Sequence, residues 1–182
     1  MVVLPDSGIF WHGNCIASMS AADARSYAKK MSASELLGYY RAHACPLQWR
    51  GFLCALGDEF EDALSDAELT LLMSRIGGRF AQAHPLPDVD TLDALQAALN
   101  AIWNARNWGY VVFEELPDRV LIRHGASPLA SALGGERIWA AGFLEGAYRE
   151  WFRAAGMLAG LDVRMAAPQS ADVADFVLSR VS

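Results

Sequence analysis

Residues 92–124 read LDALQAALNAIWNARNWGYVVFEELPDRVLIRH, and the fold class turns on a change of period inside this stretch. Up to Trp103 the apolar residues fall at Leu92, Leu95, Leu99, Ile102 and Trp103, the repeat of a helix with one buried side. Asp93, Gln96, Asn100 and Asn104 are expected on the opposite, solvated side. From Trp108 the repeat shortens to two. WGYVVFEE and RVLIRH are β-branched and aromatic runs around Leu116-Pro117-Asp118, the pattern of an antiparallel hairpin. A helix feeding a hairpin predicts an α+β domain.

Towards the N-terminus helices dominate. Glu35–His43 predicts a short helix, and Pro46 suits the first turn of a second one reaching Leu64. Trp49, Phe52, Leu53, Leu56 and Phe60 are spaced as a single stripe on that second helix, expected to be buried. Ser65 and Glu68 have the capping-box spacing and open a helix to about Gln82, with Leu69, Leu72, Met73, Ile76 and Phe80 as its inner face. Gly77-Gly78 inside it costs about 1 kcal/mol per glycine relative to Ala, so something is expected to pack closely there. Towards the C-terminus a Gly, Ser and Pro loop is expected over 125–135, then a long helix from Ile138 to about Met157. Ala140, Leu144, Ala147, Tyr148, Trp151 and Ala155 lie along one side of it, and Glu145 and Arg149 form a favourable i,i+4 pair. Leu161–Met165 and Asp175–Arg180 read as two more strands. The architecture expected is an N-terminal helical region, then antiparallel strands with a long helix packed on the sheet.

The chain of 182 residues is 53% hydrophobic and 20% charged, enough to bury a core without disulfides or metals. Its net charge is −6 and only Lys29 and Lys30 among its 15 basic residues are lysines, which argues against nucleic acid as a partner. No apolar run approaches the ~20 residues a bilayer requires, so no membrane insertion is expected. Cys15, Cys45 and Cys54 form no CxxC pair, and the N-terminus lacks a basic, uninterrupted leader, so a cytoplasmic location is expected, with the periplasm as the alternative. Residues 1–30 differ from the rest. They have no strong apolar stripe, and residues 1–31 carry two acids and three bases, leaving −7 on the remainder. The expected organisation is a 1–30 appendage or docking segment and a domain over 31–182. Ile9, Phe10, Trp11 and Ile16 are the anchors by which that segment would dock, with residues 20–30 helical.

No catalytic constellation emerges. His12, His43, His84 and His124 are dispersed, no metal-ligand spacing or phosphate loop occurs, and Glu114-Glu115 point to opposite faces of a strand. No cofactor is expected. The acidic stretch 58–68 reads as solvated helix ends, although a glycosidase can assemble its acid pair from distant positions. Six tryptophans invite a sugar-stacking reading, but Trp49, Trp103 and Trp151 fall on helical stripes and read as core. Trp11 and Trp139 are left open between the two. His124, ending a strand, reads as a satisfied structural polar group, and the cysteines as small buried hydrophobes.

At the hairpin and the helix after it the pattern meets a family. Leu95-Gln96, Leu99-Asn100-Ala101, Trp108-Gly109, Val111, Glu114, Ile122 and His124, then Trp139, Leu144-Glu145-Gly146, Tyr148 and Trp151, resemble the family of the bacterial cellulose synthase D subunit. The spacing W-x4-LEG-x-Y-x2-W is the specific part. FLCALGDEFEDAL and MSRIGGRF are similar to the family's amino-terminal helices, so the resemblance covers about residues 35–182. It implies a non-catalytic accessory or scaffold component of cellulose synthesis whose dimers assemble into an octameric ring. The implied partners are further copies of itself, other cellulose synthase complex or scaffold proteins and β-1,4-glucan chains. Phe10, Trp11, Tyr39, Tyr40 and Trp49 are the candidate glucan or partner contacts. A glucan-binding or glucan-hydrolysing protein is the competing class. Two physical expectations stand beside the resemblance: apolar surface that drives self-association, and a close backbone crossing at Gly146.

Overall fold

The computed structural model describes residues 33–166 and 172–180. The chain divides into two compact units, residues 1–38 and 39–182. Of the first, residues 33–38 are described, as the opening turns of a helix; the second carries the sheet and the core. Phe10, Trp11 and the helix expected over 20–30 lie outside the described residues.

Helix α1 spans Ala33–His43 and α2 spans Leu47–Ala63. The expected capping box opens α3, Asp66–Ala83: Ser65 Oγ accepts the Glu68 amide, and the Glu68 carboxylate accepts the Ser65 amide at 2.9 Å. Thr91 caps α4, Leu92–Asn104, by accepting the Ala94 amide. Then come β1 (Tyr110–Leu116), β2 (Arg119–Gly125), a short α5 (Leu129–Leu133), a 3₁₀ turn (Ile138–Ala141), α6 (Gly142–Ala154), β3 (Leu161–Met165) and β4 (Val173–Arg180). The strands form one antiparallel sheet in the order β1-β2-β4-β3. The α+β architecture with a helix on the sheet is as expected.

The main core fills the space between this sheet and the helices. Leu95, Leu99 and Trp103 of α4 and Leu144, Tyr148 and Trp151 of α6 meet Val111, Ile122, Val163 and Phe176 from the strands. Trp103 stacks on Phe80 at 5.5 Å between ring centres and takes Trp151 edge-on at 5.1 Å. A smaller cluster joins Leu69, Leu133, Trp139 and Ala140, with Phe60 against it.

Helices α3 and α6 cross at backbone contact. A β-carbon at Gly77 would collide with the Phe143 carbonyl oxygen, and one at Gly146 with that of Ser74; at Gly142 it would lie 2.5 Å from that of Thr70. The glycines therefore exchange about 1 kcal/mol each of helix propensity for an approach that no side chain permits. This is the close packing expected at Gly77 and Gly146.

Several expectations need correction. Gln96 and Asn100 do not face solvent; both are half-buried, because their amides bond strand β1. The 125–135 loop contains α5, which ends on Gly134 in the left-handed conformation (φ +81°). The long helix is not continuous from Ile138: a tighter 3₁₀ turn carries Trp139 and Ala140 into the smaller cluster before α6 begins. It stops at Ala154 rather than Met157. Gly156 (φ +89°) and the bonds Met157 N–H to Phe152 O and Gly156 N–H to Arg153 O form a Schellman ending, which leaves Ala155 exposed. Ile76 is exposed, its expected place at the α3–α6 contact taken by Gly77. The apolar stripe of α2 is not buried as a whole, for a reason taken up next.

Candidate assembly surface

Helix α2 docks by a ridge beside its apolar stripe. Cys54 and Gly57 sit against α5 and Arg137, where a β-carbon at Gly57 would lie 3.1 Å from the guanidinium carbon. The Arg137 side chain, only 10% exposed, reaches Asp58 and Glu61. The Trp139 indole N–H donates to Glu61 at 2.8 Å, and the guanidinium lies over the Trp139 ring. The hydrogen bond to Asp58 and the nearby Glu61 charge raise the Arg137 pKa further, so this cation is permanent. Thus Asp58 and Glu61 of the acidic run are not merely solvated; they hold the helix. One turn earlier, α1 is fixed at its C-terminal end, where Ser131 Oγ donates to the Arg41 carbonyl and Arg41 forks onto Asp172.

With the docking ridge so occupied, the stripe is left to solvent at its N-terminal end. Trp49 is 55% and Phe52 59% exposed, and Leu47 projects almost freely. Tyr39 and Tyr40 at the end of α1 are exposed as well. Trp49 is therefore not core, against the expectation from its spacing. Its ring meets Phe52 edge-on at 71°, and Tyr39 meets Tyr40 at 77°. Neighbouring rings this nearly perpendicular present no continuous flat track. Side chains of this kind, exposed side by side, are the composition of a protein–protein contact.

The remaining singled-out residues are buried or bonded within the fold. Leu95, Trp139, Tyr148 and Trp151 are buried, and the Trp151 indole donates to the His84 carbonyl at 2.9 Å. Trp108 stacks near Trp103 and Phe143. Gly109 has φ +84°, and a β-carbon there would strike the Gly125 carbonyl. Glu145 pairs with Arg149 and accepts the Met165 amide at 2.8 Å. His124 is fully buried: its Nε2–H donates to the Trp108 carbonyl at 2.7 Å, so its Nδ1 accepts from the Tyr148 hydroxyl at 2.6 Å. Desolvation pushes this imidazole down to about 4 and pushes the Tyr148 hydroxyl well above its ordinary range, so both are neutral. Arg137, Gly142 and Asp172 were not singled out from the sequence. The Gly142-x3-Gly146 spacing was a usable signal for one of them; the partners of Arg137 and Asp172 come from 79 and 131 residues away and leave no local trace.

Among the described residues no three or more of His, Cys, Asp and Glu are grouped to hold a metal ion. A half-open cleft of about 240 Å³ lies between α5, the 3₁₀ turn and β4, walled by Leu129, Ile138, Leu144, Met165 and Val173. No helix among the described residues is long and apolar enough to cross a membrane.

Comparison with known proteins agrees with this geometry. The profile of the family of the cellulose synthase D subunit matches residues 35–179. The chain belongs to that cellulose synthase family. Curated relatives named cellulose synthase operon protein D are similar to it: one from Komagataeibacter xylinus is 33% identical over 103 residues, covering 55% of this chain and 66% of that protein. One from Komagataeibacter sucrofermentans is 32% identical over the same shares. The match thus spans just under two thirds of these relatives' length. The α1–α2 surface of this family member lies within the profile match from residue 35 onward.

Proposed function

We propose that this chain is a non-catalytic assembly component of bacterial cellulose synthesis. It joins copies of itself, dimers first and an octameric ring from these, and thereby orders synthase complexes and the glucan chains they release. The observation that carries the reading is the α2 stripe. A helix locked to the body by Arg137, Asp58, Glu61 and Trp139 holds Trp49 and Phe52 in water, where their exposure is a cost unless a partner covers them. A stable specific contact buries ~800 Å² per partner, a scale that two exposed helices with aromatic side chains can reach.

The competing class, a protein that binds or cuts glucan, draws on the same exposed rings. Their edge-on arrangement disfavours it, since a linear glucan stacks on rings that share a plane. The buried His124 and the His84 ring bonded to the Phe80 carbonyl are engaged in the fold rather than poised beside a nucleophile. We place the protein on the cytoplasmic side of the synthase.

Sedimentation at micromolar concentration, together with a pull-down on amorphous cellulose, tests this. A high-order oligomer that stays in the supernatant is expected. A stable monomer, or a monomer that binds or shortens soluble glucans, overturns the reading.

A further inference from the structure

A four-stranded open sheet has two edges, and each normally presents a row of unpaired amides and carbonyls that can template another strand. Here both rows are met by side chains. On the β1 edge, the Asn100 carboxamide donates to the Val111 carbonyl and accepts the Val111 amide, both at 2.8 Å. One helical turn earlier, Gln96 Oε1 accepts the Phe113 amide. Val111 and Phe113 are alternate residues of the strand, so their polar groups point to the same outer side. A side-chain amide has the same donor and acceptor as a peptide unit, so Asn100 occupies the place of a residue on a fifth strand.

The opposite edge repeats the arrangement with charged groups from α6. Glu145 accepts the Met165 amide, and Arg149 donates to the Val163 carbonyl, each at 2.8 Å. Arg149 is held in turn by Glu145, Asp162 and Ser74.

From these two sets of bonds we infer that the polar side chains of α4 and α6 close the sheet at both ends, so that copies of this chain cannot join by strand addition and are confined to helical surfaces. The inference rests on the self-assembly proposed above for its consequence, though not for the closure itself. It gives Gln96, Asn100, Glu145 and Arg149 one shared role that neither a core reading nor a catalytic reading supplies.

Amide exchange followed residue by residue tests it with two variants. In Asn100→Ala the Val111 amide should exchange roughly tenfold faster while Phe113 keeps its protection; in Gln96→Ala the pattern should reverse. Ile122 and Phe176, inside the sheet, should not change in either. Both variants should also form thioflavin-binding, strand-paired aggregates at concentrations where the parent keeps its own mass. Equal acceleration at both sites, or none, overturns the closure, and selective opening without new strand-paired species overturns its consequence. If Asn100→Ala does not fold, Gln96→Ala carries the same comparison through Phe113. A parent that sediments as a monomer refutes the assembly reading separately, because the exchange pattern is read within one chain.

Discussion

His124 and Gly146 show how single residues are fixed by their surroundings. The His124 ring titrates near 4 instead of its ordinary 6.5 because burial penalises its charged form. Between those values the unfolded chain binds a proton that the folded chain does not. The neutral ring's contribution is therefore whole above about pH 6.5, lost progressively as pH falls, and gone once pH passes the folded value, a total of about 3 kcal/mol. Urea midpoints of the parent and of His124→Gln between pH 7 and pH 4 should diverge in slope by that amount; parallel slopes would remove His124 from the acid response. At Gly146 two effects of opposite sign compete. Alanine gains about 1 kcal/mol of helix propensity, but its β-carbon meets the Ser74 carbonyl, and overpacking costs ~1–3 kcal/mol. Backbone cannot yield as a flexible side chain does, so packing wins: Gly146→Ala should lower the thermal midpoint, and a midpoint at or above the parent's would show that the crossing relaxes.

Among the elements, α2 depends on its polar latch to an unusual degree, since its stripe contributes little burial at the N-terminal end. Arg137→Ala removes the fork to Asp58 and Glu61 and the cover over Gly57. Those two carboxylates are 70% and 42% exposed and rehydrate once released, so the expected cost is about 1–2 kcal/mol, below the 3–5 kcal/mol of a stranded buried charge. Amide exchange should rise through residues 47–63 and stay unchanged in α6. Uniform acceleration across both helices would mean that the latch supports the whole domain rather than one element.

For the molecule as a whole, stability and assembly should separate. Trp49 and Phe52 are exposed and lie outside both core clusters. Replacing both by Asp should alter unfolding free energy by no more than about 0.5 kcal/mol per site, as surface substitutions usually do. It should nevertheless reduce the sedimenting mass, because each carboxylate would be desolvated in an interface formed there. An unchanged mass would move the assembly surface elsewhere on the molecule.

The sequence determined the elements and their hydrophobic sides wherever local spacing decides: the capping box at Ser65, the period change between Trp103 and Trp108, the strands at Leu161 and Asp175, and the glycines that demand a close neighbour. It also carried the family in the W-x4-LEG-x-Y-x2-W spacing. Which partner each side meets is a different matter. Gln96 and Asn100 read as solvated because polarity predicts water, yet a strand edge 11 to 17 residues away satisfies them equally well. Trp49 read as core because a stripe predicts burial, yet the small residues at Cys54 and Gly57 and the distant Arg137 drew α2 down on its other side. Periodicity reports that a face is apolar. Only the tertiary structure decides whether that face is filled from within the chain or left for something outside it, because that choice rests on contacts between residues tens of positions apart.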